Sequence, residues 1–385
     1  MAKTLRIGGA VIAALLMLLP LAAAAQDFAT KAKFAVLMDY ESGTLLFNKA
    51  ADERLEPASM AKLMTVAVVF DLLKQGKLNM NEEFFISEHA WKEGGASSGG
   101  STMFAKLNDK ISVENLVKSV IIQSGNDAAI ALAEGVAGTE ETFARQMNKL
   151  AADIGLTNSH FTNATGLPDP EQYSTAHDLA VLARYIIRTF PEYYSIFSQP
   201  EFTWNKIRQQ NRNSLVEMGI GVDGLKTGHT EAAGYGTVVS TAAGGRRLIA
   251  VLHGLTSMRE RAEEARKLVT WGTRGFELLP LFAEGKTVGY ADVYGGAEPQ
   301  VPLVGKGEIA ILIPKGTDNC PQASIVYQGP LMPPVEEGAQ VAALEVSCGG
   351  NVVQNTPLYA AATVPGGNIV RKSMDALKHL ALGWM

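Results

Sequence analysis

Three short segments of the chain hold side chains that together could break an acyl bond. In Pro57-Ala58-Ser59-Met60-Ala61-Lys62, a serine at an expected helix start is followed three residues later by a lysine, which puts both side chains on one helical face. A serine hydroxyl is a poor nucleophile until a neighbour takes its proton, and a lysine can do so only if burial or nearby positive charge keeps it neutral. The positive end of the helix acts in the right sense, disfavouring the Lys62 cation and favouring negative charge near Ser59. The pairing alone carries little weight, because average residue usage gives on the order of one Ser-x-x-Lys by chance in a chain of this length. A capped helix with a solvated lysine reads the same way.

The second segment is Ser124-Gly125-Asn126, between the apolar Val120, Ile121 and Ile122 and the alanine-rich stretch Asp127 to Leu132. A loop between two helices can present side chains to a cleft. There Ser124 could pass a proton towards a leaving amine, and the Asn126 amide could orient Lys62 and hydrogen-bond a substrate backbone. Helix capping is the ordinary use of such a triplet. The third segment, Lys226-Thr227-Gly228-His229-Thr230, precedes a strand-like run, and Lys-Thr-Gly has roughly one chance in ten of arising at random. Lys226 supplies fixed positive charge, Thr227 a hydroxyl for a substrate carboxylate, and Gly228 a backbone that a bound acyl group can approach closely. An edge strand here could hold a peptide by backbone pairing; an ordinary polar strand entrance is the plainer alternative.

Periodicity shows the elements that must position these residues. Lys33 to Asp39 and Thr44 to Asn48 are strand-like runs separated by Glu41, Ser42 and Gly43, which predicts a β-hairpin. A helix is expected from near Ser59, and the pattern stays largely helical to about Ala152, as in Val113 to Gln123 and Glu140 to Ala152. Strand-like runs return at Tyr235 to Thr241 and Arg246 to Leu252, joined by Ala242 to Gly245, and a helix follows from about Met258 to Leu278. One sheet is expected to combine the first hairpin with these late strands, leaving the helical middle as an inserted lobe with a cleft at its junction with the sheet. After about Gly285, runs such as Ile309 to Ile313, Ser324 to Tyr327, Val341 to Val346 and Leu358 to Thr363 are broken by Gly and Pro, which predicts a separate small β domain. Asn368 to Met385 returns to helical spacing. Val370, Met374, Leu377, Ala381 and Trp384 fall on one side, with Arg371, Lys372, Lys378 and His379 largely on the other, a pattern suited to lying on a membrane.

At 385 residues the chain exceeds what one core usually organises, so two domains are expected. A net charge of -5 argues against general nucleic-acid binding, where a clustered basic excess would be needed. Lys3 and Arg6 precede an apolar run from Ile7 to Leu21 and the small residues Ala22 to Ala25, which reads as a cleavable signal peptide with the mature chain starting at Gln26. In the oxidising compartment this implies, Cys320 and Cys348 either pair as a structural disulfide or stay as two free thiols. The six histidines form no zinc-ligand spacing, so neither a metal mechanism nor a cofactor is expected.

All three segments occur in order inside one expected domain. Ser-x-x-Lys with Ser-Asp-Asn and Lys-Thr-Gly is the motif set of class A β-lactamases and penicillin-binding proteins, from which this chain departs in carrying Gly125. On these motifs the chain resembles a low-molecular-weight penicillin-binding protein of the D-alanyl-D-alanine carboxypeptidase family, over essentially its whole mature length. Asn163-Ala164-Thr165-Gly166-Leu167-Pro168, Tyr173 to Leu179 and Trp271-Gly272 extend the likeness, although Thr165 stands where many relatives carry histidine. The Gly/Ser-rich stretch Glu93 to Thr102 aligns with a loop bordering the cleft.

The resemblance implies an α+β fold. Residues 26 to 285 would form a penicillin-binding/β-lactamase-like catalytic domain, 286 to 365 a small all-β domain, and 366 to 385 an amphipathic helix. It implies that Ser59 forms the acyl-enzyme and Lys62 acts as base, with Ser124 and Asn126 assisting. The oxyanion would rest on the backbone N–H groups of Ser59 and His229, and the substrate carboxylate on Thr227 with help from Lys226. Gly228 and Arg247 complete the implied site, Arg247 as an electrostatic supporter. The expected partners are peptidoglycan stem peptides, β-lactams as covalent inhibitors, and the inner-membrane surface on the periplasmic side. DD-endopeptidase, β-lactamase with Glu171 as its nearest candidate glutamate, and a non-catalytic peptidoglycan-binding scaffold are the alternatives.

Overall fold

The structure, a computed structural model, describes residues 28–315, 320–348 and 351–382, with side chains omitted at a few positions, among them those from 377 onward. The expected signal peptide and Trp384 lie outside the described residues.

The first hairpin and the late strands do share one sheet. It is antiparallel, in the order Leu45–Lys49, Phe34–Asp39, Leu248–Leu255, Gly234–Thr241, Val222–Thr230. Side chains alternate between its faces with period two: Ala35 and Leu37 enter one core, Val36 and Met38 the other. Leu248–Leu255 is buried throughout, as a central strand covered on both sides must be. This strand begins two residues later than its periodicity predicts, because Arg246 and Arg247 turn aside into ion pairs with Asp39 and Asp223.

One face of the sheet is covered by the helix Met258–Gly275 through Ala265, Leu268 and Val269. A Cβ on Gly272 would meet Leu37 and Leu248, so the glycine lets the helix approach the sheet closely. The helix stops at Gly275 rather than near Leu278. Pro280 disfavours helical backbone just before it, and Phe276–Phe282 instead pairs as a strand with Ile309–Pro314.

The helical lobe covers the other face. Three of its helices start where a side chain accepts an orphan N–H group: Ser112 from Asn115, Thr139 from Thr142, and Thr175 from Asp178. The helix Lys62–Lys74, apolar on nearly all sides, runs through the middle of the lobe, with Phe70 against Phe190, Tyr193 and Phe197. Replacing Phe70 with alanine would cost about 3–5 kcal/mol, so the element beginning at Lys62 is firmly held.

Beyond residue 275 the chain forms a β domain. Its five-stranded sheet has the order Gly289–Asp292, Gln300–Val304, Asn351–Ala360, Gln340–Cys348, Gln322–Val326, around a core of Val301, Leu303, Ile311, Leu344 and Leu358. Cys320 and Cys348 are joined in a disulfide beside the outermost hairpin. The last helix, Ile369–Leu382, turns Asp375 inward, where its Oδ2 accepts the Gly295 N–H at 2.8 Å. Its apolar residues Ile369, Val370 and Met374 point outward, 81%, 63% and 52% exposed. Among the described residues no helix is long and apolar enough to cross a membrane.

Candidate active site

Ser59 sits on the 3₁₀ turn Ala58–Ala61 that leads into the helix Lys62–Lys74. Gly166, in left-handed backbone at φ +77, packs directly on the Ala58 carbonyl where any Cβ would collide. Lys62 is 0% exposed. Its Nζ lies 3.2 Å from Ser59 Oγ, 2.6 Å from Asn126 Oδ1 and 2.5 Å from the Thr165 carbonyl oxygen. Burial holds this amine far below its ordinary value, down to about 7; Glu140 and Asp127 pull it up and Arg212 pushes it further down. In the neutral form its two N–H groups satisfy Asn126 and Thr165, leaving the lone pair for the Ser59 proton.

The second motif closes the pocket from the lobe. Asn126 opens the helix Asn126–Ala137, and its backbone N–H is fixed by the Ser101 carbonyl at 2.7 Å. Ser124 adopts φ +69, and among the described residues its buried Oγ has no hydrogen-bond partner, so a hydroxyl is held free at the cleft. Gly125 explains the departure from the usual motif: a side chain there would strike Ser119 Oγ and crowd Asp127.

The third motif lies on the edge strand Val222–Thr230. A Cβ on Gly228 would come within 3.1 Å of Pro57 O and Met60 N, so the glycine lets this strand lie against the nucleophile turn. Lys226 is 2% exposed and donates to the Thr227 carbonyl at 3.0 Å; burial, then the neighbouring Lys62, Arg212 and Arg261, hold it well below its ordinary value. The His229 ring stacks on Tyr235 with centroids 3.9 Å apart.

A cleft of about 380 Å³ lies between lobe and sheet, lined by Ser59, Ser124, Asn126, Thr227, Gly228 and His229. Lys62 and Lys226 sit behind this lining. Gly99 to Ser101 of the Gly/Ser-rich stretch border the same cleft, whereas Glu171 is exposed outside its lining. Thr165 contributes its carbonyl to Lys62, and its side chain bonds Asn163 Oδ1.

Arg247 is the correction. It lies outside the cleft lining, bidentate on Asp223 at 2.8 and 2.7 Å and 2.6 Å from Ser240 Oγ, because it precedes its strand and reaches sideways to the sheet edge. The arginines that line the cleft are Arg212 and Arg261, which the sequence reading missed. Among the described residues neither pairs with a carboxylate, and burial with Arg212 nearby holds Arg261 down at about 10. Arg212 sits in an irregular loop and Arg261 in the first turn of an ordinary amphipathic helix, so neither carries a local signal.

A serine facing a buried, neutralisable lysine, beside a cationic cleft, defines a serine acyl-transfer enzyme acting on an anionic substrate. Comparison with known proteins carries this further. A family model described as D-alanyl-D-alanine carboxypeptidase matches residues 21–256, and one described as the C-terminal domain of penicillin-binding protein 5 matches residues 276–366. D-alanyl-D-alanine carboxypeptidase DacC of Escherichia coli is 41% identical over 344 residues, covering 88% of this chain and 86% of its own length. DacA of Haemophilus influenzae is 44% identical over 286 residues, covering 74% and 72%. The crystal structure of penicillin-binding protein 5 from Haemophilus influenzae superposes with a TM-score of 0.77 at 38% identity, over 88% of this chain and 98% of that one. The chain belongs to the D-alanyl-D-alanine carboxypeptidase family of low-molecular-weight penicillin-binding proteins.

Proposed function

We propose that this protein is a serine-type D-Ala-D-Ala carboxypeptidase that removes the terminal D-alanine of peptidoglycan pentapeptides. The observation that carries the reading is Lys62, buried and held between Ser59 Oγ, Asn126 Oδ1 and the Thr165 carbonyl. Ser59 Oγ attacks the penultimate D-alanine carbonyl as its proton moves to Lys62 Nζ. The developing oxyanion is held by the backbone N–H groups of Ser59 and His229. The substrate carboxylate is held by Thr227 and by the positive charge of Arg212 and Arg261, with the Lys226 amine behind them. As the C–N bond breaks, the leaving amine takes the proton back from Lys62 by way of Ser124, whose free hydroxyl suits the relay. Water then cleaves the ester and restores Ser59. A β-lactam acylates the same oxygen and occupies the same cleft.

Product analysis on a defined pentapeptide tests the reaction. Free D-alanine should appear, and cross-linked dimers should stay intact; dimer cleavage without release of D-alanine would overturn the carboxypeptidase reading in favour of an endopeptidase.

The site of action is the periplasmic face of the inner membrane, reached by export through residues 1 to 25 and held by the helix that begins at Ile369. Outward Ile369, Val370 and Met374 support in-plane binding, and a disulfide suits an oxidising compartment. A chain lacking residues 366 to 385 should fail to co-sediment with anionic vesicles; equal sedimentation would remove the anchor.

A further inference from the structure

Glu140 is a half-buried carboxyl that the reaction above does not use. It opens the helix Glu140–Asp153, and its Oε1 accepts the Ala164 N–H at 2.8 Å. The carbonyls next to that amide grip the nucleophile helix: Ala164 O accepts from Thr65 Oγ1 at 2.6 Å, and Thr165 O from Lys62 at 2.5 Å. Asn163 Oδ1 accepts the Thr165 and Gly166 amides from within the loop, while the helix Glu140–Asp153 braces it from outside, Glu140 at the Ala164 amide and Asn148 at Phe161.

The electrostatics point the same way. Lys62 faces Glu140, Asp127, Arg212 and Lys226. Asp127 is saturated locally by Thr102 Oγ1 and by the N–H groups of Met103, Ala105 and Ala128. Glu140 exerts the largest upward pull on the lysine. Burial pushes Glu140 itself up, against the Ala164 N–H and His89. Its other neighbours are Glu134 and Lys62, with His89 Nε2 3.9 Å from Oε2 and His89 Nδ1 3.0 Å from Glu134. A buried amine beside the Arg212 cation would be a feeble base without an opposing charge.

We propose that Glu140 is a positioning residue for Lys62: it braces, through the Ala164 amide, the loop that accepts from the lysine, and it supplies the nearby negative charge that keeps the lysine basic enough to take the Ser59 proton. This rests on Lys62 being the base. Glu140→Gln keeps an acceptor for the Ala164 N–H and removes the charge; Glu140→Asp keeps the charge. The test is the single-turnover acylation rate by fluorescent penicillin as a function of pH, for wild type and both variants, repeated in a His89→Gln background to remove the imidazole of the cluster.

In E140Q the acid limb should move to lower pH by about half a unit or more, with a severalfold lower plateau, while E140D keeps the wild-type limb. A wild-type profile without a limb near neutrality would sink the Lys62 reading. A wild-type limb that E140Q leaves in place would overturn the role of Glu140 alone. Should E140Q fail to fold by circular dichroism, Glu140→Ala decides: a limb moved to lower pH by about half a unit or more supports the role, and an unmoved limb contradicts it.

Discussion

The cleft and the C-terminal helix break the same burial rule in opposite directions. Behind the cleft, Lys62 and Lys226 are fully enclosed, whereas on the last helix Ile369, Val370 and Met374 stand in solvent. An isolated buried ammonium would cost several kcal/mol, so a protein lowers its pKa instead. Lys62 does so and keeps all its partners within the chain. Among the described side chains of the helix, Arg371 and Asp375 face each other while Ile369, Val370 and Met374 face outward. One exception is complete in itself and marks chemistry; the other leaves an apolar face exposed, which is what the proposed anchor would use.

The comparison breaks most sharply at the nucleophile. Ser59→Ala should cut penicillin labelling and D-alanine release by more than about 10⁴-fold with folding intact; label persisting at full rate would move the chemistry elsewhere. Lys62→Met fills the same volume without a base and should slow acylation by about 10² to 10⁴-fold, measured by stopped-flow fluorescence. On the helix, Val370→Glu together with Met374→Glu should weaken vesicle binding by about tenfold or more while leaving kcat/KM on soluble substrate unchanged. The smallest effects separate the arginines. Arg261→Ala should raise KM about tenfold. Arg247→Ala should change kcat/KM less than about twofold yet lower stability by about 1–3 kcal/mol in urea titration, since it removes the bidentate donor to Asp223, leaving it the Tyr194 hydroxyl, and removes the donor to Ser240.

The contrast also explains what could be read without coordinates. Ser59, Lys62, Ser124, Asn126 and the Lys226 to His229 run announce themselves because short spacings put them on helix starts, a loop and one strand; the structure gathers all of them around the cleft. The outward Val370 and Met374 were legible as helical periodicity. Arg212 and Arg261 were not, because each is brought to the cleft only by tertiary packing. Glu140 was hidden for the same reason: its use depends on the Ala164 amide, 24 residues away. Arg247 misled because adjacency to a strand does not reveal which edge its side chain takes. The helix end at Gly275 was blurred by apolar Phe276, Leu278 and Leu279, which suit a strand equally well.

The central claim is that Lys62 is uncharged when Ser59 attacks. Burial brings the amine to about 7, so it is protonated below that pH and free to accept a proton above it. The rate of Ser59 acylation by a penicillin, measured from pH 5 to 10 in a single turnover, should therefore rise through about 7 and level off. A rate that stays flat across that range, or begins to rise only near the ordinary lysine value of about 10.4, would contradict it.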